Sequence, residues 1–219
     1  ERQENRFKQV LLSQIDRALK GLDITLEMYC HLKKLYSDIH LVLLAPVSDY
    51  MPSYQEMLKT RIKNEQLEVS LIDEFDPDLA HVIYQWPKTT IISLLSRMDT
   101  QPLTVMEARV NPKNSIILVS DPERIGKQVC HGKNGFSCSL QNLEAVFEKP
   151  SVLTESLMQV VHCAQQILEL SDEERKKIID HGKRLISEEY DFRKNMIKNL
   201  KNLIKMQLNL LLQCLHDLK

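Results

Sequence analysis

Glycine is scarce in this chain, with five residues in 219. No GxxxxGK or GxGxxG string is present, which excludes the glycine-rich phosphate loops. Aromatic residues make up only 5%, so the core must be built from Leu, Ile and Val. Neither sign of charge is in excess: 29 Lys and Arg stand against 30 Asp and Glu. That balance argues against a nucleic acid held by bulk charge. Five cysteines (30, 130, 138, 163 and 214) are scattered and never form a CxxC pair. Their odd number argues against a disulfide framework or structural zinc, and for a reducing, cytoplasmic setting. No apolar run reaches the roughly 18–20 residues that span a bilayer, and no signal peptide is read. The first residue is Glu1 rather than Met, which reads as the start of an excised piece.

What is present is a globular composition, 43% apolar and 27% charged. Apolar blocks alternate with helical spacings. Strands are expected over 7–15 (FKQVLLSQI), 39–45, 67–72, 89–95 and 115–119, with a short sixth inside 132–140. Helices are expected over 22–35, over 54–64 with Ser53 as N-cap, from Asp76–Pro77 onward, over 103–110 and over 124–131. Everything after Ser151 reads as helical. Strand blocks with little alternation, each bounded by helices, predict a Rossmann-like parallel sheet covered on both faces, with a helical carboxyl-terminal extension. The Pro150–Ser151 step divides a sheet domain, 1–150, from helices that pack on it, 151–219. Ligands of such sheets sit beyond the carboxyl ends of the strands. The loops at those ends are therefore the places to look for chemistry.

The first loop reads Asp16-Arg17-Ala18-Leu19-Lys20-Gly21. Two cations between a strand and a helix suit a diphosphate, Arg as a fork and Lys as a point charge. The bland alternative is a solvated basic loop. The fourth loop carries Asp99 and, seven residues between, Glu107. Two carboxylates there can reach one ligand, or Asp99 can simply cap the next helix. The sixth reads HGKNGF over 131–136, and its Asn-Gly step signals a turn with a structural purpose. His31, His81, His162 and His216 stand alone at helical spacings. No histidine pair has metal-ligand spacing with a carboxylate, so no metal site and no cofactor is expected. Cys30, Cys163 and Cys214 fall on helix faces read as buried.

Taken in order, these landmarks carry a resemblance. A strand leads to Arg and Lys-Gly. An IHLVLLA strand follows, then a loop Asp with LTVMEA, a strand SIILVSD, and VCHGKNGF. The series resembles the carboxyl-terminal, nucleotide-sugar-binding half of retaining glycosyltransferases of the two-domain GT-B fold. Asp99 to Glu107 is similar to their E-x7-E motif. Residues 16–21 and 41–48, Tyr54-Gln55, the LSDEE stretch at 170–174 and Tyr190-Asp191 resemble trehalose-6-phosphate synthases. The resemblance spans about residues 7–195. It implies that Arg17 and Lys20 hold the donor diphosphate in the catalytic role, and that Glu107 takes the ribose hydroxyls. It further implies that Asp99 faces the donor sugar, with backbone amides of Gln101, Leu103 and Thr104 close to phosphate and sugar, and residues 73–75 near the base. The chain departs from the pattern in three ways. Arg17 and Lys20 are three apart rather than five, the first acid is Asp, and Thr100, Gln101 and Pro102 replace glycines. Pro102 has no N–H to donate.

The resemblance implies a nucleotide-diphosphate sugar as ligand, or a catalytically inactive relative acting as scaffold or regulatory subunit. The amino-terminal acceptor domain has no counterpart in the chain. In the tail, Ser171 to Glu174 forms a capping box, and the basic run 175–177 after it reads as a solvated face. The segment 196–218 carries a long apolar stripe expected to dock on the missing domain or a partner protein. A membrane-surface role, from Lys198, Lys201 and Lys205 beside the stripe, is the weaker alternative.

Overall fold

The computed structural model describes residues 9–14, 21–44, 52–74, 76–96, 103–110, 112–120, 128–140 and 155–189. The chain divides into two compact units, Glu1–Gly182 and Lys183–Lys219. The first unit holds a six-stranded sheet. Its strands are β1 (Gln9–Gln14), β2 (Ile39–Leu44), β3 (Val69–Ile72), β4 (Thr89–Leu94), β5 (Ile116–Ser120) and β6 (Phe136–Cys138). The helices are α1 (Leu22–Leu35), α2 (Pro52–Asn64), α3 (Pro77–Gln85), α4 (Leu103–Val110), α5 (Glu155–Glu169) and α6 (Asp172–Glu189).

Every described strand pair is parallel, and the spatial order is β3-β2-β1-β4-β5-β6. The chain therefore runs outward from β1 to β3, crosses back, and runs outward again from β4 to β6. The reversal lies between β1 and β4, where Ser13 pairs with Ser93. Alternation along the strands separates two cores. Leu41, Leu43, Ile91 and Leu118 join α1, α2, α5 and α6 on one face. Val42, Leu44, Ile92, Ile117 and Val119 join α3 and α4 on the other. Strands β4 and β5 are buried throughout, which is why they read as unbroken apolar blocks, while edge strand β3 is half-exposed. The fold is thus the Rossmann-like α/β arrangement that the pattern predicts.

Local signals explain the element ends. Asp76 Oδ1 accepts from the N–H groups of Asp78 (2.9 Å) and Leu79 (3.2 Å), a true N-cap with Pro77 behind it. The Ser171 capping box forms as read: Glu174 N–H donates to Ser171 Oγ at 3.3 Å, and Ser171 N–H to Glu174 Oε2 at 3.0 Å. Three expectations need correction. Helix α2 begins at Pro52, so Ser53 lies within it rather than capping it. The helix expected over 124–131 is not present at its described end, since Val129 and Cys130 have no regular structure and His131 bridges to Gly135. Residues 121–127 of that helix lie outside the described ones.

The third correction concerns Arg175, read as part of a solvated face but only 5% exposed. It lies one turn before Ile178 and Ile179, on the buried face of α6. Its guanidinium donates to the carbonyls of Ile167, Asn114 and Thr90, tying α6 to α5 and to the amino ends of the sheet. Burial pulls its pKa below the ordinary Arg value, and the Asp172 carboxylate acts the other way. Lys176 and Lys177 are exposed, as expected. Cys163 and Cys138 are buried free thiols whose pKa burial raises. Cys30 is only half-buried, with its thiol pushed up to about 11. The segment 196–218 and Cys214 lie outside the described residues.

Candidate functional site

A crevice at the carboxyl ends of β1 and β4 follows from the strand order. Helix α1 leaves β1 on one face of the sheet and helix α4 leaves β4 on the other, so the two connections diverge from neighbouring strands. Arg17 and Lys20 belong to the first connection, Asp99 and Gln101 to the second. These four residues lie outside the described ones, but both flanks of each segment are described. The first segment leaves Gln14 and enters Gly21; the second leaves Ser96 and enters Leu103.

Gly21 sets the spacing between the flanks. It adopts a left-handed conformation (φ 67°, ψ 40°) as the N-cap of α1. A Cβ built on it would lie 1.8 Å from the Leu95 carbonyl oxygen. Only glycine lets the start of α1 press against the end of β4 this closely. Thr25, one turn on, donates to the Gly21 carbonyl at 3.2 Å and shares a hydrogen bond with Ser93 of β4 at 3.2 Å. The buried Tyr54 hydroxyl accepts from Asp23 N–H (3.1 Å) and donates to Asp23 Oδ1 (3.0 Å). Across the crevice, the Ser120 hydroxyl donates to the Ser96 carbonyl, which fixes the end of β4 against β5.

The described candidates on α4 are Leu103, Thr104 and Glu107. Val105 and Ala108 turn into the core, while Leu103 and Glu107 are exposed and Thr104 is half-buried. Glu107 lies one turn on from both Leu103 (i, i+4) and Thr104 (i, i+3), so it neighbours each of them on the helix surface. Burial raises the pKa of the Tyr84 phenol on α3, and the Glu107 carboxylate adds to the rise. Asp73 follows β3, two strands or roughly 10 Å from β1. Its carboxylate pairs with Lys59 Nζ at 3.4 Å.

The HGKNGF segment forms a closed turn. Gly132 N–H donates to the Gly135 carbonyl at 2.9 Å, with Gly132 at φ 72°. The Asn134 side chain holds it, accepting from Cys130 N–H at 2.7 Å and donating to the Gln128 carbonyl at 3.3 Å. Its structural purpose is thus visible. The sequence reading missed Arg109, which sits two residues past Glu107 and is buried. Arg109 donates to the carbonyls of Gln128 and Asn134 (the latter at 2.7 Å), binding α4 to this turn. Its only sequence signal is its place beside Val105 and Ala108 on the inward side. Among the described residues, no group of three His, Cys, Asp or Glu side chains is arranged to hold a metal ion. Among them also, no helix is long and apolar enough to cross a membrane.

No protein-family model matches the sequence, and no curated protein does. Solved structures do match in fold. The carboxyl-terminal domain of a glycosyl transferase group 1 family protein from Francisella tularensis superposes with a TM-score of 0.66 at 16% identity, covering 87% of this chain and 90% of that one. The Anabaena protein HepE, solved with UDP and glucose, gives 0.69 at 13%, covering 92% and 50%. A UDP-forming trehalose-phosphate synthase from Burkholderia xenovorans gives 0.68 at 14%, covering 92% and 46%. The chain has the fold of the carboxyl-terminal domain of GT-B glycosyltransferases. It spans nearly all of the isolated domain and about half the length of the two larger proteins.

Proposed function

We propose that this chain is the donor-binding half of a retaining hexosyltransferase that takes a nucleotide-diphosphate sugar. The observation that carries the reading is the close approach of Gly21 to Leu95. It brings Gly21, which follows Lys20 in sequence, against the end of β4, after which the chain leads on to Asp99 and Gln101, and so supports a ligand at the switch point of the sheet. Arg17 and Lys20 oppose the charge on the departing diphosphate, the main electrostatic task of such a transfer. Glu107 hydrogen-bonds the ribose hydroxyls, and Asp99 faces the sugar. Gln101, Leu103 and Thr104 offer backbone N–H groups at the start of α4, where a helix end favours anions. Residues 1–150 are the donor-binding part, and 151–219 are its carboxyl-terminal extension. The acceptor side comes from an amino-terminal domain or a partner protein engaged through 196–218, in the cytoplasm. HepE, with its bound UDP and glucose, supports the ligand class.

A second reading, a catalytically inactive scaffold or regulatory relative, is favoured by one feature. Thr100, Gln101 and Pro102 stand where close backbone approach to a ligand favours glycine. Calorimetry with UDP-, GDP- and ADP-sugars separates the two. The donor reading expects binding that Lys20→Ala and Glu107→Ala each weaken by about tenfold, the worth of one charge-assisted hydrogen bond. No heat from any donor at millimolar concentration overturns it in favour of the scaffold.

A further inference from the structure

An α-helix opens with N–H groups that need partners, and the N-cap side chain normally supplies one. Helix α1 cannot use that device. Its N-cap is Gly21, held to glycine by the Leu95 carbonyl, and it makes no side-chain cap. The partner comes instead from 31 residues along the chain. Tyr54, the third residue of α2, takes the Asp23 N–H at 3.1 Å and returns its own proton to Asp23 Oδ1 at 3.0 Å. Both residues are buried. We propose that Tyr54 is a positioning residue for the donor site, acting as the cap that α1 lacks. The proposal rests on reading the crevice as a nucleoside-diphosphate site.

The consequence reaches the loop. Lys20 directly precedes Gly21 in the sequence, so the first turn of α1 is the described end of the segment that bears Lys20 and Arg17. That turn is held on one side by Tyr54 and on the other by Thr25 against Ser93. Without the Tyr54 hydroxyl, the Asp23 amide and carboxylate lose a buried partner, and the turn that follows the two cations in sequence frays. The loss falls on phosphate affinity and not only on stability, because the loop's geometry is what a diphosphate meets.

Tyr29 supplies the control. Its hydroxyl, on the same helix, donates to the Glu68 carbonyl at 3.0 Å. Glu68 immediately precedes β3, at the amino end of the sheet and away from the crevice. Tyr54→Phe and Tyr29→Phe each delete one hydroxyl from a buried phenol. The affinities of UDP, GDP and ADP are measured by calorimetry at 25 °C, with hydrogen exchange over residues 21–25. Wild-type protein should bind at least one of the three. Tyr54→Phe should weaken that binding about fivefold and speed exchange at 21–25, while Tyr29→Phe leaves both unchanged. Equal affinity in Tyr54→Phe and wild type overturns the positioning role while the donor site stands. Equal weakening in both variants also overturns it, assigning the effect to general stability. No binding by wild type with faster exchange in Tyr54→Phe removes the donor reading and the positioning role with it, leaving a cap alone.

Discussion

Gly21 and Gly132 have nearly the same backbone, φ 67° and φ 72°, but opposite surroundings. A Cβ on Gly21 would meet the Leu95 carbonyl oxygen at 1.8 Å and its carbon at 2.8 Å. A Cβ on Gly132 would meet nothing within 4 Å. Alanine at either position incurs the left-handed penalty, about 1–2 kcal/mol. At Gly21 it must also push the start of α1 off β4, since an ordinary contact needs roughly 3.4 Å or more. Overpacking of that kind costs about 1–3 kcal/mol. The expected losses are therefore about 1–2 kcal/mol for Gly132→Ala and about 2–5 kcal/mol for Gly21→Ala. Urea unfolding measures both, read from the midpoint at constant slope. Gly21→Ala should also lower donor affinity, because the displaced residue directly follows Lys20 in the sequence. If the two variants lose the same stability, the contact between α1 and the end of β4 is not what fixes Gly21, and the crevice argument fails.

Three further outcomes follow from buried or capping groups. Gln128 is 3% exposed, and among the described residues neither polar atom of its side-chain amide has a partner. Gln128→Met keeps its length and its backbone carbonyl bonds, so it should stabilise by about 1–2 kcal/mol and raise Tm by about 2–8 °C; a lower Tm would show that the amide is satisfied after all. Ser171→Ala removes the cap of α6 and should cost about 1 kcal/mol in urea unfolding, whereas an unchanged midpoint would contradict the capping box. Hydrogen bonds from Ser171, by side chain and then backbone, hold the Glu174 carboxyl below the usual carboxylate range. A carboxyl lowered on folding contributes stability above its unfolded pKa and loses it as pH falls through its folded value. Stability should thus decline on acidification in wild type, and less steeply in Ser171→Ala; equal slopes would reject that assignment.

Much of the fold is legible in the sequence because burial on two faces leaves little room for ambiguity. The blocks TTIISLL and SIILV can only be central strands of a covered parallel sheet, and Asp76-Pro77 and Ser171 to Glu174 announce helix starts by their own chemistry. Arg175 is hard to see as buried because a run of three basic residues looks solvated. Its spacing to Ile178 and Ile179 places it on the apolar face, where backbone carbonyls satisfy it. The 124–131 segment misled for a related reason. Its described end is shaped by the Asn134 side chain and by Arg109, partners that come from later in the chain or from another element. Of the candidate site, Leu103, Thr104 and Glu107 fall on the helix expected over 103–110, Glu107 one turn on from the other two. Tyr54 could not be seen as a partner of Asp23, because nothing local links residues 31 apart.

The central claim is that a nucleotide-diphosphate sugar binds at the carboxyl ends of β1 and β4. Amide chemical shifts recorded during titration with UDP-, GDP- and ADP-sugars test it most directly. The account predicts changes concentrated at residues 15–25 and 96–107, with the amino ends of the strands, near Glu68 and Lys88, unaffected. Changes centred on those amino ends, or none at millimolar donor, would contradict it.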